Sequence, residues 1–305
     1  MKKILLTGAR GFIGRHCCTA LRERNYEIHA ATSGNVEDVP EDEGVSWYHL
    51  DLLEQNSVTE VFRQIKPTHL LHLAWYTEHG KFWNAEENLV WTNATLQLIK
   101  EFKTNGGQRV VGAGTCAEYD WNYGYCSEHV TPLNPSSLYG RCKNAVRSII
   151  DEYTSLYDLS FAWGRIFFLY GQGENRKRLI SHVITSLLEN RTADCSHGKQ
   201  IRDFLYVTDV ANAFVSLLDS EVEGAVNIAS GTPVTLRSII ETISTKLDGS
   251  GKIRYGTVPE KPGDPPMLTA DIRRLENEVG WKPGYELDQG IEETINWWKN
   301  NLEKV

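Results

Sequence analysis

The chain has 305 residues and a formal net charge of -8, which is long enough for one large domain or two unequal ones around a sizeable core. The acidic balance argues against nucleic-acid binding, which needs a basic face, and no apolar run approaches the roughly 20 residues of a membrane span. The six cysteines form no CxxC pair and the nine histidines show no ligand spacing, so we expect free thiols and no metal. The start "MKKILLTGARG" has too short an apolar run for a signal peptide. We therefore expect a cytoplasmic protein without nucleic-acid or membrane partners.

Short apolar runs alternate with helical patterns through the first half of the chain. The runs that are typical of buried strands are "KILLTG", "EIHAAT", "VSWYHL", "THLLHLA" and "QRVVGAG". Helical spacing lies between them at 12–24, 57–65 and 85–102, and a further helix begins near Ser136. A sixth strand, "SFAWGRIFFLYG", follows that helix. This alternation predicts an α/β fold with a Rossmann-type, doubly wound parallel sheet.

The regular alternation ends after Gly171, where the polar loop "GQGENRKR" begins. We predict a dinucleotide-binding Rossmann domain at 1–170 and a smaller α/β substrate-binding region at 171–305. The segment 201–228 is expected to return to the first domain.

The stretch "TGARGFIG" places Gly8, Gly11 and Gly14 directly between the first strand and a helix. Gly8 permits a tight turn, Gly11 lets a pyrophosphate approach the backbone, and Gly14 lets the helix pack closely on the strand. Phe12 and Ile13 open the helix, whose free N–H groups and positive dipole end favour phosphate. Such a trio is also compatible with a purely structural turn, but its strand–turn–helix context predicts dinucleotide binding.

The end of the second strand normally carries an acid that holds the ribose of NAD. This chain has "AATSGN" there, with Thr32 and Ser33 and no carboxylate. Arg10, inside the glycine turn, is placed to reach a 2′-phosphate. The following "NVEDVPEDEG" holds five acids between Glu37 and Glu43, which would repel that phosphate unless they face solvent. We predict NADP as the cofactor, with NAD as the alternative.

The stretch "SLYGRCKN" places Tyr139 and Lys143 at i and i+4, on one face of a helix. The ammonium is expected to lower the pKa of the phenol and make it a proton donor or acceptor near neutrality. In isolation this spacing would equally suit an amphipathic helix with a core tyrosine. After a dinucleotide fold, with Thr115 at the end of the fifth strand, the three residues are predicted to be catalytic.

Seven motifs follow one another along the chain. They are "TGARGFIG", "HLAW", "GTCAEY", "SLYGRCK", "GRIFFLYGQG", "IRDFLYVTDVANA" and "VNIASG". Together they resemble the extended short-chain dehydrogenase/reductase family, in its nucleotide-sugar epimerase/dehydratase branch. The resemblance runs from Lys3 to the closing "PGYELDQGIEETINWW", nearly the whole chain.

The resemblance implies a role for each matching residue at the reaction centre. Tyr139 is the general acid/base, Lys143 binds the nicotinamide ribose and tunes Tyr139, and Thr115 holds the reacting sugar oxygen. The resemblance also implies cofactor contacts. Asp51 and Leu52 are expected beside the adenine, and Leu73 and Ala74 along the central phosphate and ribose. The family also implies a nucleotide-diphosphate sugar as substrate.

Other matching positions concern the substrate and its surroundings. Arg202 is implied to clamp the substrate diphosphate with its planar guanidinium, although an ion pair with Asp203 at the surface is the alternative. Asn88 matches a residue that braces the sheet, or is an amide on a helix surface. Trp75 is an aromatic residue expected near the site mouth, where it contacts substrate or simply packs; the others are Tyr76, Trp121, Tyr123 and Tyr125.

Two departures from the family pattern bear on the reaction. Dehydratases of the family carry Asp and Glu after the threonine, whereas this chain has Cys116 and Ala117, and Glu118 would point to the opposite face of an extended strand. Dehydration is therefore not expected. Phe168 stands where the family often has Asn, and an apolar ring suits a deoxysugar, although Phe168 as core packing is equally compatible.

These observations predict an NADP(H)-dependent nucleotide-sugar ketoreductase that acts on the 4-keto group of an NDP-4-keto-6-deoxy (or dideoxy) hexose. The alternative is an NAD-dependent epimerase, which uses the same catalytic residues. A non-catalytic nucleotide-sensing protein of this fold would be expected to lose the tyrosine or the lysine. The family also implies a homodimer formed through two helices of each subunit.

Overall fold

The computed structural model describes residues 2–40, 42–260 and 263–303. Its strands are β1 (Lys3–Thr7), β2 (Glu27–Thr32), β3 (Val45–His49), β4 (His69–His72), β5 (Arg109–Thr115), β6 (Tyr125–Cys126), β7 (Ser160–Ile166), β8 (Phe168–Tyr170), β9 (Ala193–Asp194), β10 (Ile201–Tyr206), β11 (Gly224–Ile228), β12 (Pro233–Thr235), β13 (Ile253–Arg254) and β14 (Met267–Ala270). Its α-helices are α1 (Gly14–Glu23), α2 (Gln55–Ile65), α3 (Glu87–Thr104), α4 (Leu138–Leu156), α5 (Leu179–Leu188), α6 (Val207–Asp219), α7 (Leu236–Lys246), α8 (Arg273–Asn277) and α9 (Leu287–Asn301).

Seven parallel strands form the main sheet in the order β3-β2-β1-β4-β5-β7-β11. Alternate side chains of β1 serve opposite faces: Ile4 and Leu6 join a core that includes Leu21 of α1 and Phe214 of α6. Leu5 joins the core on the other side, with residues of α2, α3 and α4. Helices on both faces of a parallel sheet confirm the predicted doubly wound α/β fold.

A second sheet is built around β10, and β9 and β13 form a separate two-stranded sheet. Strand β10 pairs with β12, β14 and β8, and β14 pairs in turn with β6. Helices α5, α7 and α9 supply a separate core that includes Ile184, Ile240 and Trp298. Within the segment 201–228, β10 lies in this second sheet, whereas β11 lies in the main one.

The predicted single strand "SFAWGRIFFLYG" is in fact two strands that belong to different sheets. Strand β7 pairs with β5 and β11, whereas β8 pairs with β10. Phe167 lies between them, and its N–H still bonds to the carbonyl of Ile228 in the main sheet. The chain therefore crosses between sheets at this residue, and the crossing places Phe168 beside Phe204 of β10.

Several features concern the described part of the chain as a whole. No helix in it is long and apolar enough to cross a membrane. It contains no group of three or more His, Cys, Asp or Glu side chains arranged to hold a metal ion. All six cysteines are free and buried.

Candidate active site

The turn between β1 and α1 can be built only with glycine at two of its positions. Gly8 has φ +71°, and a Cβ there would lie 2.8 Å from the backbone N of Ala74. A Cβ on Gly14 would lie 2.1 Å from the carbonyl oxygen of Gly8. Gly11, at the tip, is exposed. The backbone of this turn is thus open to a phosphate group at the start of a helix, which is where such a group is favoured.

Four neighbouring strands bring the other predicted cofactor residues to the same edge of the sheet. In the order β4-β1-β2-β3, the residues at or just after the carboxyl ends are Leu73 and Ala74, then Gly8 to Gly14 with Phe12 and Ile13, then Thr32 and Ser33, then Asp51 and Leu52. Parallel Rossmann sheets bind dinucleotides outside these carboxyl ends. The residues present therefore fit a nicotinamide dinucleotide.

Arg10 lies over the end of β2. Its Nη1 would be 3.3 Å from a Cβ on Gly34, and the Thr32 hydroxyl accepts the N–H of Gly34 at 3.1 Å. Ser33 is exposed beside them. A guanidinium and two hydroxyl side chains thus occupy the place where an acid would hold an unphosphorylated ribose.

Among the described residues of the acidic loop after β2, Asp42 is the one that forms an ion pair, and its partner is not in the glycine turn. Asp42 accepts a hydrogen bond from Arg22, in the last turn of α1, at 2.5 Å. The far end of α1 is thus its partner, and the glycine turn is not. Glu37 is exposed, and Glu41 lies outside the described residues.

The three predicted catalytic residues are brought together where β5 meets α4. Thr115 ends β5, and the Ser137 hydroxyl accepts the N–H of Gly140 and starts α4, so that Tyr139 and Lys143 fall on its first two turns. A Cβ on Gly140 would lie 2.3 Å from the carbonyl oxygen of Ala117, so only glycine lets α4 approach so closely. The Thr115 hydroxyl is hydrogen-bonded to the Tyr139 phenol.

The expected lowering of the Tyr139 pKa by Lys143 is not found in this structure. Burial raises the pKa of Tyr139 above its ordinary value, and the hydrogen bond from Thr115 opposes this effect only in part. Lys143 instead donates to the carbonyl of Ala113 at 2.8 Å, and burial lowers its pKa to about 7, against the opposing charge of Glu118. The phenol is therefore protonated near neutral pH, which is the form that donates a proton.

Trp75, which was expected near the mouth of the site, instead lies inside the protein with Asn88, next to Lys143. The indole of Trp75 is 9% exposed, and the Lys143 Nζ lies 3.8 Å from its ring centroid. The indole N–H donates to the Asn88 Oδ1 at 2.9 Å. Asn88 is fully buried, so the alternative of an amide on a helix surface is wrong.

Two aromatic residues that the sequence analysis did not select surround Tyr139. The rings of Phe82 and Trp83 meet the Tyr139 ring edge-on, with centroids 4.9 and 5.9 Å apart. Trp121, which was selected, lies 6.1 Å from Trp83 and lines a cavity of about 300 Å³. The sequence feature that could have indicated these two residues is the pair of adjacent aromatic residues in "FWN", the short helix before α3. Tyr76, Tyr123 and Tyr125 make no described ring contact with Tyr139.

The second sheet places the two predicted substrate residues beside each other. The Arg202 guanidinium carbon lies 5.3 Å from the ring centroid of Phe168. Arg202 is buried and pairs with Asp264 at 2.8 Å, so the alternative ion pair with Asp203 is wrong. Asp203 instead accepts hydrogen bonds from the backbone and hydroxyl of Ser230.

Glu118 is turned away from the site, although not for the predicted reason. Residues Cys116–Glu118 form a 3-10 turn and not an extended strand. Glu118 is fully buried and accepts hydrogen bonds from the Thr115 N–H at 2.9 Å and from Trp163 and Arg165 at 2.8 Å. Cys116 is also buried, which raises the pKa of its thiol well above the ordinary value. The Glu118 carboxylate is thus engaged by three donors, and the Cys116 thiol is protonated near neutral pH.

Two glycines of β5 make room for the tryptophan that holds Glu118. A Cβ on Gly112 or Gly114 would lie 2.4 or 2.2 Å from the Trp163 ring. Alternate glycines inside a strand mark such a close approach, and this sequence feature was overlooked.

A Rossmann sheet with a glycine turn at one strand end and a Thr, Tyr and Lys group beside it defines a nicotinamide-dependent oxidoreductase of the short-chain dehydrogenase/reductase type. Within that class, the chain belongs to the NAD dependent epimerase/dehydratase family, whose family model matches residues 4–229. This is the branch whose members act on nucleotide sugars.

Individual relatives match nearly the whole chain. A protein of Methanocaldococcus jannaschii, provisionally named a UDP-glucose 4-epimerase, is 29% identical over 98% of this chain and 99% of its own length. CDP-abequose synthase of Salmonella typhimurium is 27% identical over 96% of this chain and 97% of its own length. Among solved structures, a UDP-N-acetylglucosamine 4-epimerase of Methanobrevibacter ruminantium matches with a TM-score of 0.88 at 24% identity, over 98% of this chain and 99% of that one.

Proposed function

We propose that this protein is an NADP(H)-dependent nucleotide-sugar ketoreductase that reduces the 4-keto group of an NDP-4-keto-6-deoxy or dideoxy hexose. The observation that carries the proposal is the position of Arg10 over Gly34, at a strand end that lacks an acid. A reductase must release its oxidised cofactor in every cycle, whereas an epimerase retains NAD. A site suited to the 2′-phosphate and without the ribose-gripping carboxylate supports the exchangeable cofactor.

Thr115, Tyr139 and Lys143 each have a separate role in the proposed reduction. When bound, the cofactor supplies the hydride that adds to the keto carbon. The Thr115 hydroxyl donates a hydrogen bond to the keto oxygen, and the protonated Tyr139 passes its phenolic proton to that oxygen to complete the hydroxyl. We propose that the ammonium of Lys143 stabilises the phenolate that is left once cofactor and substrate are bound, although burial governs the Tyr139 pKa in the structure itself.

The second sheet supports the choice of a deoxysugar nucleotide. Arg202 offers a planar guanidinium that suits a diphosphate, and in the structure Asp264 takes that place. Phe168 beneath it presents an apolar ring. Trp83 and Trp121 add an apolar wall next to Tyr139, which suits a sugar that lacks a hydroxyl.

The alternative is an epimerase with bound NAD. It is supported by the identity of 29% to the Methanocaldococcus protein, and CDP-abequose synthase, at 27% identity, supports the reductase. Both reactions use Thr115, Tyr139 and Lys143 in the same way, so cofactor exchange is the property that separates them.

The experiment that tests the proposal is a screen of nucleotide 4-keto-6-deoxysugars with NADPH and with NADH. We expect one or more of these substrates to oxidise NADPH in equal amount to the product formed. In a parallel reaction, a nucleotide hexose with NAD should give no 4-keto-6-deoxy product, because Cys116 and Ala117 replace the acids of dehydration. Formation of that product would contradict the assignment.

Replacing Arg10 with alanine is expected to erode the preference for NADPH. Loss of a charge-assisted hydrogen bond costs about 1.5–3 kcal/mol, so the ratio of kcat/KM for NADPH to that for NADH should fall about ten- to hundredfold. Arg22→Ala is the matched control, since Arg22 lies near the far end of α1, the helix that follows the glycine turn, and pairs there with Asp42. Equal use of both cofactors by the unmodified protein, or equal ratios in the two variants, would contradict the NADP assignment.

We also propose a homodimer formed through α3 and α4. Both helices present exposed apolar side chains: Leu89 and Val90 on α3, Ile149 and Leu156 on α4. Contiguous exposed apolar patches mark interaction surfaces. Sedimentation equilibrium should give twice the chain mass of 34.6 kDa, and Leu89→Glu should shift the protein toward monomer.

A further inference from the structure

The ammonium of Lys143 is buried without a carboxylate partner. Its side chain is 3% exposed, and its Nζ donates one hydrogen bond, to the carbonyl of Ala113 at 2.8 Å. Among the residues that the structure describes, Lys143 forms no ion pair. Because an unpaired buried charge is costly, some other group must favour the charged form of this side chain.

The face of the Trp75 indole is that group. Nζ of Lys143 lies 3.8 Å from the Trp75 ring centroid, whereas the ring of Trp163 is 5.6 Å away. A cation over the face of an indole is attracted by the negative charge of the ring, and the attraction is strongest when water is excluded. Trp75 is itself buried, so this condition is met.

Asn88 fixes the orientation of that ring. Its Oδ1 accepts the indole N–H of Trp75 at 2.9 Å, and its Nδ2 donates to the carbonyls of Phe82 and Ala85 at 2.7 and 2.8 Å. The same amide thus holds the short helix whose Phe82 ring meets the ring of Tyr139 at 4.9 Å. Asn88 therefore holds both the ring that contacts Lys143 and the short helix that packs against Tyr139.

We propose that Trp75, held by Asn88, is a positioning residue that keeps Lys143 charged and directed toward the reaction centre. The indole does not contact the reacting atoms in this role, and it acts through the lysine. The catalytic consequence rests on the proposed function, because only there does the ammonium stabilise the Tyr139 phenolate. The effect on Lys143 itself is independent of substrate and cofactor.

Among the titratable groups around Lys143, Glu118 favours the charged form, although it forms no ion pair with Lys143. His72 on β4 is neutral, since burial and then the charge of Lys143 lower its pKa to about 3. Tyr139, on the same helix as Lys143, is neutral because burial raises its pKa. Glu118 raises the pKa of Lys143 through its charge, but that carboxylate is engaged by Arg165.

The sign of the effect follows from the charge on the lysine. Burial already lowers the pKa of Lys143 to about 7. Removal of the indole face takes away a contact that only the charged form enjoys, so the pKa falls further. The ammonium is then lost at a lower pH, and any rate that depends on it declines at a lower pH as well.

The test is a pH titration of the free protein labelled with ¹³C at the lysine Cε, followed by NMR. The Lys143 signal is assigned by its absence in Lys143→Met. We expect the midpoint of Lys143 to fall by about one pH unit in Trp75→Leu, and by a smaller amount in Trp75→Phe, which keeps an aromatic face but loses the bond to Asn88. Trp91→Leu is the matched control, because the ring of Trp91 packs against Trp75 at 6.3 Å and forms no described contact with Lys143.

The outcomes separate the inference from the proposed function. An unchanged midpoint in both Trp75 variants, or an equal fall in Trp91→Leu, would overturn the positioning role whatever the reaction is. If Trp75→Leu does not fold, the Trp75→Phe titration decides. Where the screen yields a keto-sugar substrate, the alkaline limb of kcat should move to lower pH in Trp75→Leu by a similar amount, and KM should change little.

Discussion

Tyr139→Phe is expected to lower turnover by about 10²–10⁴-fold, the span usual for loss of a general acid, while the fold and cofactor affinity stay nearly unchanged. The phenyl ring preserves the edge-on contacts with Phe82 and Trp83, so only the hydroxyl is lost. In this variant, no group at the position of the lost phenol donates the proton that completes the new hydroxyl group. Steady-state kinetics with the keto-sugar found in the screen, together with a cofactor-binding titration, would measure both effects.

Tyr157→Phe is the matched control for that experiment. Tyr157 caps the other end of α4 and is 52% exposed, so its hydroxyl is remote from β5 and Lys143. Turnover in this variant should equal that of the unmodified protein. If Tyr139→Phe retained full turnover as well, the assignment of the general acid would be wrong.

Glu118→Ala is expected to reduce the free energy of unfolding by about 3–5 kcal/mol, the cost of leaving one member of a buried ion pair without its partner. Glu118 and Arg165 are 0% and 1% exposed, and their Nε and Oε2 atoms are 2.8 Å apart. Removal of the carboxylate also deprives the Thr115 N–H and the Trp163 indole of their acceptor. Urea-induced unfolding, followed by circular dichroism, would measure the loss.

Glu241→Ala provides the comparison at the surface. Glu241 pairs with Arg237 at i,i+4 on α7, and both side chains are about half exposed, at 59% and 49%. Exposed pairs of this kind contribute about 0–1 kcal/mol, so the unfolding midpoint should change little. A Glu118→Ala protein as stable as Glu241→Ala would show that the buried pair does not hold the catalytic turn.

The main sheet was predictable because each strand and helix leaves its pattern in consecutive residues. Fully apolar runs indicate buried parallel strands, and the i,i+4 spacing of Tyr139 and Lys143 is a local property of one helix. The division at Phe167 was missed because the run from Ser160 to Gly171 is apolar almost throughout. Which sheet each half joins depends on distant partners: Ile166 pairs with Ile228, 62 residues away in sequence, and Phe168 pairs with Phe204, 36 residues away. No local pattern records these partners.

The environment of the site was less predictable than its members. The lowered Tyr139 pKa was expected from charge alone, whereas burial controls the pKa in the folded protein. Arg202 on β10 pairs with Asp264, 62 residues further along the chain, and Trp75 bonds to Asn88 on α3. Both pairs therefore depend on tertiary packing. The roles proposed for the cofactor and substrate residues stay predictions that the experiments above address.

The most direct measurement is transfer of deuterium from the cofactor to the product. The protein would be given NADPH that carries deuterium at both positions of the nicotinamide C4, together with the nucleotide 4-keto-6-deoxysugar, and the released sugar would be analysed by mass spectrometry and NMR. We expect one deuterium at C4 of each product molecule and one NADP⁺ formed with it. Failure to reduce the keto-sugar, together with interconversion of the hydroxyl epimers of a nucleotide sugar at unchanged nicotinamide absorbance by a protein that purifies with NAD it does not release, would contradict the reductase and establish the epimerase.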